Sequence, residues 1–170
     1  IDKHRECYLT LGKTIYENPE TGYREVKTTK LLADALETLG LKTDRNIAVT
    51  GCRSYANENK EGPKVVVMGE LDSVVCPEHP DCDKNTGAIH ACGHNIQTTV
   101  MYGVADALVH SGILEQLDGK IDFMAVPADR MVTVDIPVAV YEILHVTVVL
   151  LIARHDITEI HCFCFNEQCE

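Results

Sequence analysis

The succession strand, helix, strand between residues 64 and 126 predicts an α/β fold with a mixed, largely parallel sheet and flanking helices. Three observations carry this. Lys64-Val65-Val66-Val67-Met68 is a continuous, mostly β-branched run, the pattern of a strand covered on both faces. Val100, Met101, Val104, Ala105 and Leu108 recur at helical spacing, in a helix starting near His94 and ending before Gly112. Ile121, Phe123 and Ala125 then alternate with Asp122, Met124 and Val126 in a strand that ends at Pro127. Such a succession closes as a right-handed crossover between parallel strands, and sheets of this kind place their chemistry at the carboxyl ends of the strands.

The flanking elements follow in order. His4, Tyr8, Leu11 and Ile15 recur at three- and four-residue steps, and Asn18-Pro19 stops the run, which predicts a first helix. Glu25 to Leu39 repeats the pattern through Leu31, Leu32, Ala35, Leu36 and Leu39, with Gly40 where a left-handed cap is wanted. The intervening Tyr16–Gly22 stretch, with Glu25, reads as a structural turn between the helices. Ile47–Val49 is a short strand candidate, Gly62-Pro63 punctuates, and Ser73–Ile89 reads as a loop.

Composition narrows the function classes. A chain of 170 residues makes one domain or slightly more. With 26 acidic and 15 basic residues its net charge is −11, which argues against a nucleic-acid partner. No charged-then-apolar leader precedes the first helix, so no signal peptide is expected, and an N-terminus upstream of Ile1 is. Eight cysteines at irregular spacing in an acidic, helical chain point to a cytoplasmic protein with free thiols and metal ligands rather than a disulfide framework.

The stretch Gly87–Asn95 carries the chemistry. Cys92 and His94, two residues apart across a glycine, offer a soft sulfur and a borderline nitrogen, which suits zinc or a similar first-row divalent ion. They stand at the mouth of the helix, with Glu70 and Asp72 leaving the first strand and Asp129 leaving the second. Blander readings exist: Cys92 and His94 as packed core residues, Asp72 as a cap accepting backbone hydrogen bonds. Cys76, His79 and Cys82 have a spacing that a structural zinc can use, but no fourth ligand is evident, and a solvated loop is the simpler reading.

These residues resemble the N-terminal part of the dinuclear-metal amidohydrolases of metallopeptidase family twenty, which include aminoacylases, hippurate hydrolases and p-aminobenzoyl-glutamate hydrolase. The resemblance covers about residues 1–128 in five ordered motifs: Tyr16-Glu17-Asn18-Pro19-Glu20-Thr21-Gly22 with Glu25; Thr50-Gly51; Met68-Gly69-Glu70-Leu71-Asp72; His90-Ala91-Cys92-Gly93-His94-Asn95; and Ala125-Val126-Pro127-Ala128. The third and fourth are nearest to the aminobenzoyl-glutamate branch. The resemblance implies a partial zinc-peptidase-like catalytic domain over residues 1–128, two divalent ions (zinc or manganese) in the intact family, and a small-molecule amide substrate. It puts Cys92 and His94 on metal ligands and Asp72 on the carboxylate that supports the site. It also implies a homodimer formed through a lid domain, for which this sequence has no counterpart.

The pattern breaks at residue 129. The family has two adjacent glutamates there, the first a general base and the second a metal ligand, where this chain has Asp129-Arg130. Asp129 keeps the base's carboxylate one methylene shorter. Arg130 puts a fixed cation where a ligand belongs. At about 4 Å and an effective dielectric near 20, two unit charges repel by roughly 4 kcal/mol, and a dication doubles that. At most one weakly held ion is therefore expected. Residues 129–170 match nothing in the family and contain no glycine, so a truncated or frame-shifted reading is expected, with the chain incomplete and inactive. The apolar Ile136–Ala153 stretch is interrupted by Pro137, Glu142 and His145, which argues against a membrane span and for a buried or aggregation-prone strand. The sequence thus predicts an amidohydrolase fragment, with a degenerate binding protein or a structural-zinc module as alternatives.

Overall fold

The computed structural model describes residues 2–127 and the backbone of two further strands, 150–153 and 161–163. A short 3-10 turn, Asp2–His4, leads into helix α1, Arg5–Glu17, and helix α2 spans Val26–Thr38. Both helices form where the apolar periodicity places them. Gly40, at φ +82°, follows α2 in the left-handed conformation expected of a cap.

Next come strands β1 (Lys42–Ile47), β2 (Gly51–Ala56) and β3 (Lys64–Glu70). A two-residue pair follows, β4 (Val74–Val75) and β5 (Ala88–Ile89), then helix α3 (His94–Ser111) and β6 (Lys120–Val126). Strands β7 (Leu150–Ala153) and β8 (His161–Phe163) complete the described elements. The main sheet runs β1-β2-β6-β3-β7-β8. Its central pair, β3 and β6, is parallel from Lys64↔Lys120 to Glu70↔Val126, with α3 as the crossover. The β1–β2, β2–β6, β3–β7 and β7–β8 pairs are antiparallel, so the sheet is mixed as expected but only partly parallel, around the single β3–β6 pair.

Two expectations are corrected. Ile47–Val49 is the end of β1 and the turn that follows it, not a strand of its own, and the hairpin extends from Lys42 to Ala56. Ala48 and Val49 take positive φ in that turn, so no extended strand can pass through them, and Asn46, also at positive φ, sits at the register irregularity near the end of β1. Ser73–Ile89 is mostly loop, as expected, but its two ends pair as β4 and β5.

One core serves all three helices. Leu11 and Ile15 of α1, Leu32, Ala33 and Leu36 of α2, and Met101, Tyr102 and Ala105 of α3 pack with Val67, Phe123 and Ala125 of the sheet. Phe123, Leu32 and Leu36 are fully buried, and each such side chain contributes roughly 1.5–3 kcal/mol of hydrophobic stabilisation. The opposite face of β6 carries buried Asp122, which accepts hydrogen bonds from Arg53 and an ion contact from Lys64 Nζ at 3.2 Å. A carboxylate this deeply buried needs such cations to offset its desolvation.

Gly69 sets the height of α3 over the sheet. A Cβ there would lie 3.0 Å from Thr98 Cα and 3.2 Å from Thr98 N. Its absence lets the first turns of α3 settle against the end of β3. That close approach brings His94 to Glu70 and Asp72.

Candidate active site

The carboxyl end of β3 is pinned from several sides. Leu71 N donates to Val126 O at 3.0 Å, tying the end of β3 to that of β6. Ser73 donates through both its backbone N and its Oγ to Glu20 O, at 2.8 and 2.9 Å. Glu70 N donates to Gln97 Oε1 at 3.2 Å. Glu20 also caps α2, accepting from Thr28 N and Thr28 Oγ1, and buried Glu25 accepts from Thr50 Oγ1 at 2.5 Å. The Tyr16–Gly22 stretch and Glu25 therefore act as the structural turn the sequence suggested, and they also hold the strand end that presents Asp72.

Across from this end, Gly93 at φ +86° turns the chain between Cys92 and the first residue of α3, a conformation that a side chain would strain. His94 then points down between two carboxylates. Its Nδ1 lies 2.8 Å from the Asp72 carbonyl oxygen and 3.0 Å from Asp72 Oδ1, and its Nε2 lies 2.9 Å from Glu70 Oε2. The Glu70 oxygen is close but off the hydrogen-bond direction, and it is buried without an aligned donor among the described residues. Burial alone would pull the His94 pKa down. The Asp72 hydrogen bond and the negative charges of Glu70 and Asp72 outweigh it and push the pKa up to about 10.

His90 behaves oppositely. It is 4% exposed, and neither ring nitrogen has a hydrogen-bond partner among the described residues. Burial, reinforced by the neighbouring His94, pulls its pKa down to about 4 against the opposing pull of Asp72. Cys92, between the two histidines, is a half-buried free thiol.

Of the residues singled out from the sequence, the structure brings His94 and Asp72 together and places Cys92 next to them in the chain. Asp129 and Arg130 lie outside the described residues. Glu70 proves as close to His94 as Asp72 is, and His90, which had no assigned role, is the most deeply orphaned polar group nearby. The sequence signal for His90 was its place in the His90–Asn95 motif; its lack of partners is visible only in three dimensions. Cys76, His79 and Cys82 do not converge: Cys76 Sγ faces Glu78, Cys82 Sγ faces Pro77 O, and His79 Nδ1 accepts from Asp81 N. The structural-zinc reading of that loop is withdrawn. Cys7, Cys52, Cys76, Cys82 and Cys92 are all free. Most of Ile136–Ala153 is outside the described residues, but its last four form β7, and no described helix is long and apolar enough to cross a membrane.

Glu70 Oε2 beside His94 Nε2, and the partnerless nitrogens of buried His90, suit a polar ligand better than an apolar core, although the described ligand atoms here do not converge on one point. Nδ1 of His94 faces a carbonyl and a carboxylate, the arrangement that leaves the other ring nitrogen to a metal.

No family model matches the chain. Individual proteins do. It is 34% identical over 123 residues to an IAA-amino acid hydrolase (ILR1-like 4) of Arabidopsis thaliana, covering 71% of this chain and 27% of that protein. It is 30% identical over 134 residues to thermostable carboxypeptidase 2 of Saccharolobus solfataricus, covering 76% of this chain and 34% of that one. In fold it is similar to a dinuclear metal-binding peptidase of the M20 family from Bacillus subtilis, with a TM-score of 0.67 at 24% identity over 78% of this chain and 37% of that one. The parallel β3–α3–β6 centre, with carboxylates at its strand ends, shares the α/β fold of that M20 peptidase over the matched part. The chain belongs to metallopeptidase family twenty. It spans about a quarter to a third of the length of these curated relatives.

Proposed function

We propose that this chain is part of a metal-dependent amidohydrolase that cleaves the amide between an acyl or aromatic-acyl group and an amino acid, as in N-acyl-amino acids or aminobenzoyl-glutamate. The observation that carries this reading is His94 held between Asp72 and Glu70 at the mouth of α3, one residue past the Cys92–Gly93 turn. The Arabidopsis relative's name, an IAA-amino acid hydrolase, supports the N-acyl-amino acid class.

In this reading Cys92 and His94 would hold metal, His94 through Nε2 and Cys92 as a thiolate. Bound zinc or manganese would supply an acidified water and a polarised amide carbonyl. Asp72 holds the Nδ1 proton and fixes the ring, which keeps Nε2 aimed at its target. Glu70 places a second negative charge beside Nε2 and raises local cation affinity. Asp129 is the candidate general base, and its shorter side chain and the Arg130 beside it argue for a weakened site in this chain. Dimerisation through a lid domain belongs to the same reading.

Arg130 supports a second reading, a degenerate binding protein that keeps the fold and one ion. A chimera tests whether residues 1–127 can supply their share of an active site. Residues 1–127 of this chain replace the corresponding stretch of the Arabidopsis relative, which supplies the rest of the site. Metal-dependent release of free amino acid from an N-acyl-amino acid, abolished by Cys92→Ala, is expected. A folded, metal-loaded chimera without turnover would leave the binding reading in its place.

A further inference from the structure

Far from the site described above, His4, Asp106 and His110 bring one ligand atom each within 4.8 Å of one another, the only group of three such side chains to do so among the described residues. Asp106 and His110 are four apart on α3 and so share one face of the helix, and His4 arrives from the turn that precedes α1. We propose that these three residues form a second metal site, selective for a divalent transition ion of the zinc class, that fastens the start of α1 to the C-terminal half of α3.

The geometry favours it. His4 Nδ1 lies 2.6 Å from Asp106 Oδ2, and His110 Nδ1 lies 3.0 Å from Asp106 Oδ1, so each imidazole meets its own carboxylate oxygen. Two ligands on a tetrahedral zinc ion, with bonds near 2.0–2.1 Å, stand roughly 3.3 Å apart. The two carboxylate–imidazole separations, 2.6 and 3.0 Å, fall just below that value, so an ion fits after shifts of about an ångström. Two imidazoles and a carboxylate suit zinc and its neighbours, and suit calcium or magnesium poorly.

The surroundings are those of a site rather than a chance meeting. The Asp106 side chain is 4% exposed, whereas those of His4 and His110 are 37% and 54% exposed. The anion is therefore fixed in the core while the imidazoles leave a path to solvent for the ion and a fourth, water ligand. Tyr8 donates to Asp106 Oδ2 at 2.5 Å, the kind of outer hydrogen bond that orients a ligating carboxylate. The two rings already stand edge to face at 4.8 Å between centroids. Asp106 lies twelve residues along α3 from His94, about 18 Å at 1.5 Å per residue, so one ion cannot serve both places.

Zinc titration of the full chain by calorimetry, with thermal melts in parallel, tests the proposal. His110→Ala is the primary variant because that side chain is half exposed and its loss leaves the core intact. His4→Ala is the second, and Cys92→Ala marks the other site. Both histidine variants should weaken one class of zinc binding by at least the roughly 10- to 100-fold that even an outer-shell loss costs, and abolish the zinc-induced rise in Tm. Cys92→Ala should leave that class untouched. Wild-type affinity and stoichiometry in both histidine variants would overturn the site and reduce the cluster to a hydrogen-bonded staple. Loss of all zinc binding in Cys92→Ala would overturn it as well. Neither result bears on the amidohydrolase reading, which the chimera tests separately.

Discussion

Cys52 shows what a single environment does to one residue type. It is fully buried beneath α2, and burial pushes its thiol up to about 11, with Glu37 adding to the shift and Arg45 opposing it. Its neutral form is therefore favoured in the folded chain. Between the ordinary thiol value near 9 and about 11, the unfolded chain has lost a proton that the folded one retains, so stability falls as pH rises through that window. Melts from pH 8 to 11 should show this decline, and Cys52→Ala should lessen its part below about pH 10, where the raised tyrosines do not yet contribute, while lowering stability overall through the small cavity it leaves. Alkylation at pH 8 gives an independent check: exposed Cys7 should react, while Cys52 stays protected until denaturant is added. At this scale the sequence was readable where chemistry is local. Cys92-Gly93-His94 offers the proposed metal pair by residue type and spacing. The orphaned nitrogens of His90 and the convergence of His4 on Asp106 depend on folding partners up to 102 positions away, and no local pattern encodes them.

Among the elements, α3 carries most of the argument, and two glycines near it should respond to alanine in opposite directions. At Gly69, on β3, a Cβ would press into the Thr98 backbone at 3.0 and 3.2 Å. Backbone cannot yield as a side-chain tip does, so Gly69→Ala should cost about 1–3 kcal/mol and lift His94 away from Glu70 and Asp72. Gly103, inside α3, has nothing nearer than Tyr8 Cε1 at 4.0 Å. There the alanine fits, and the gain in helix propensity should stabilise the chain by about 0.4–1 kcal/mol. Urea denaturation of both variants checks the pair, and a neutral Gly69→Ala would mean that α3 does not ride on β3 as described. The helices and the parallel pair were legible because their periodicity is strong and their apolar faces are long. The β1–β2 hairpin was not. Lys42-Thr43-Asp44-Arg45-Asn46-Ile47 is mostly polar, being an exposed edge strand, and its side chains are committed to ion pairs with Asp34, Glu37 and Glu58 rather than to a core. Pairing with β2 makes it a strand, and pairing is invisible to a one-dimensional pattern.

At the scale of the whole molecule, the family likeness and the sequence part company at one point. Up to Pro127 the motifs, the β3–α3–β6 crossover and the relatives agree. At Asp129-Arg130 the carboxylate proposed as the base is one methylene shorter than the family's glutamate, and the position proposed as a ligand carries a fixed cation. If this break is a shift of reading frame, another frame at codon 129 should encode adjacent glutamates and a glycine-containing continuation; the nucleotide sequence read in three frames decides that, and their absence from all three sinks the idea. The protein-level consequence is separate. As a 170-residue polypeptide, the chain offers Cys92, His94, Asp72 and the Asp129 carboxylate, set against relatives more than twice as long. A metal held by so few ligands binds weakly and is stripped by chelator, and an amide is stable enough that both water and carbonyl must be activated together. No hydrolysis of N-acyl-amino acids should therefore be detected with this polypeptide, even with added zinc or manganese. Asp129→Glu with Arg130→Glu should not restore it, because exchanging two side chains repairs the break without adding the length of chain that the relatives have beyond the matched part. Metal-dependent turnover by the unaltered polypeptide, lost on Cys92→Ala, would show that residues 129–170 provide what the family draws from elsewhere.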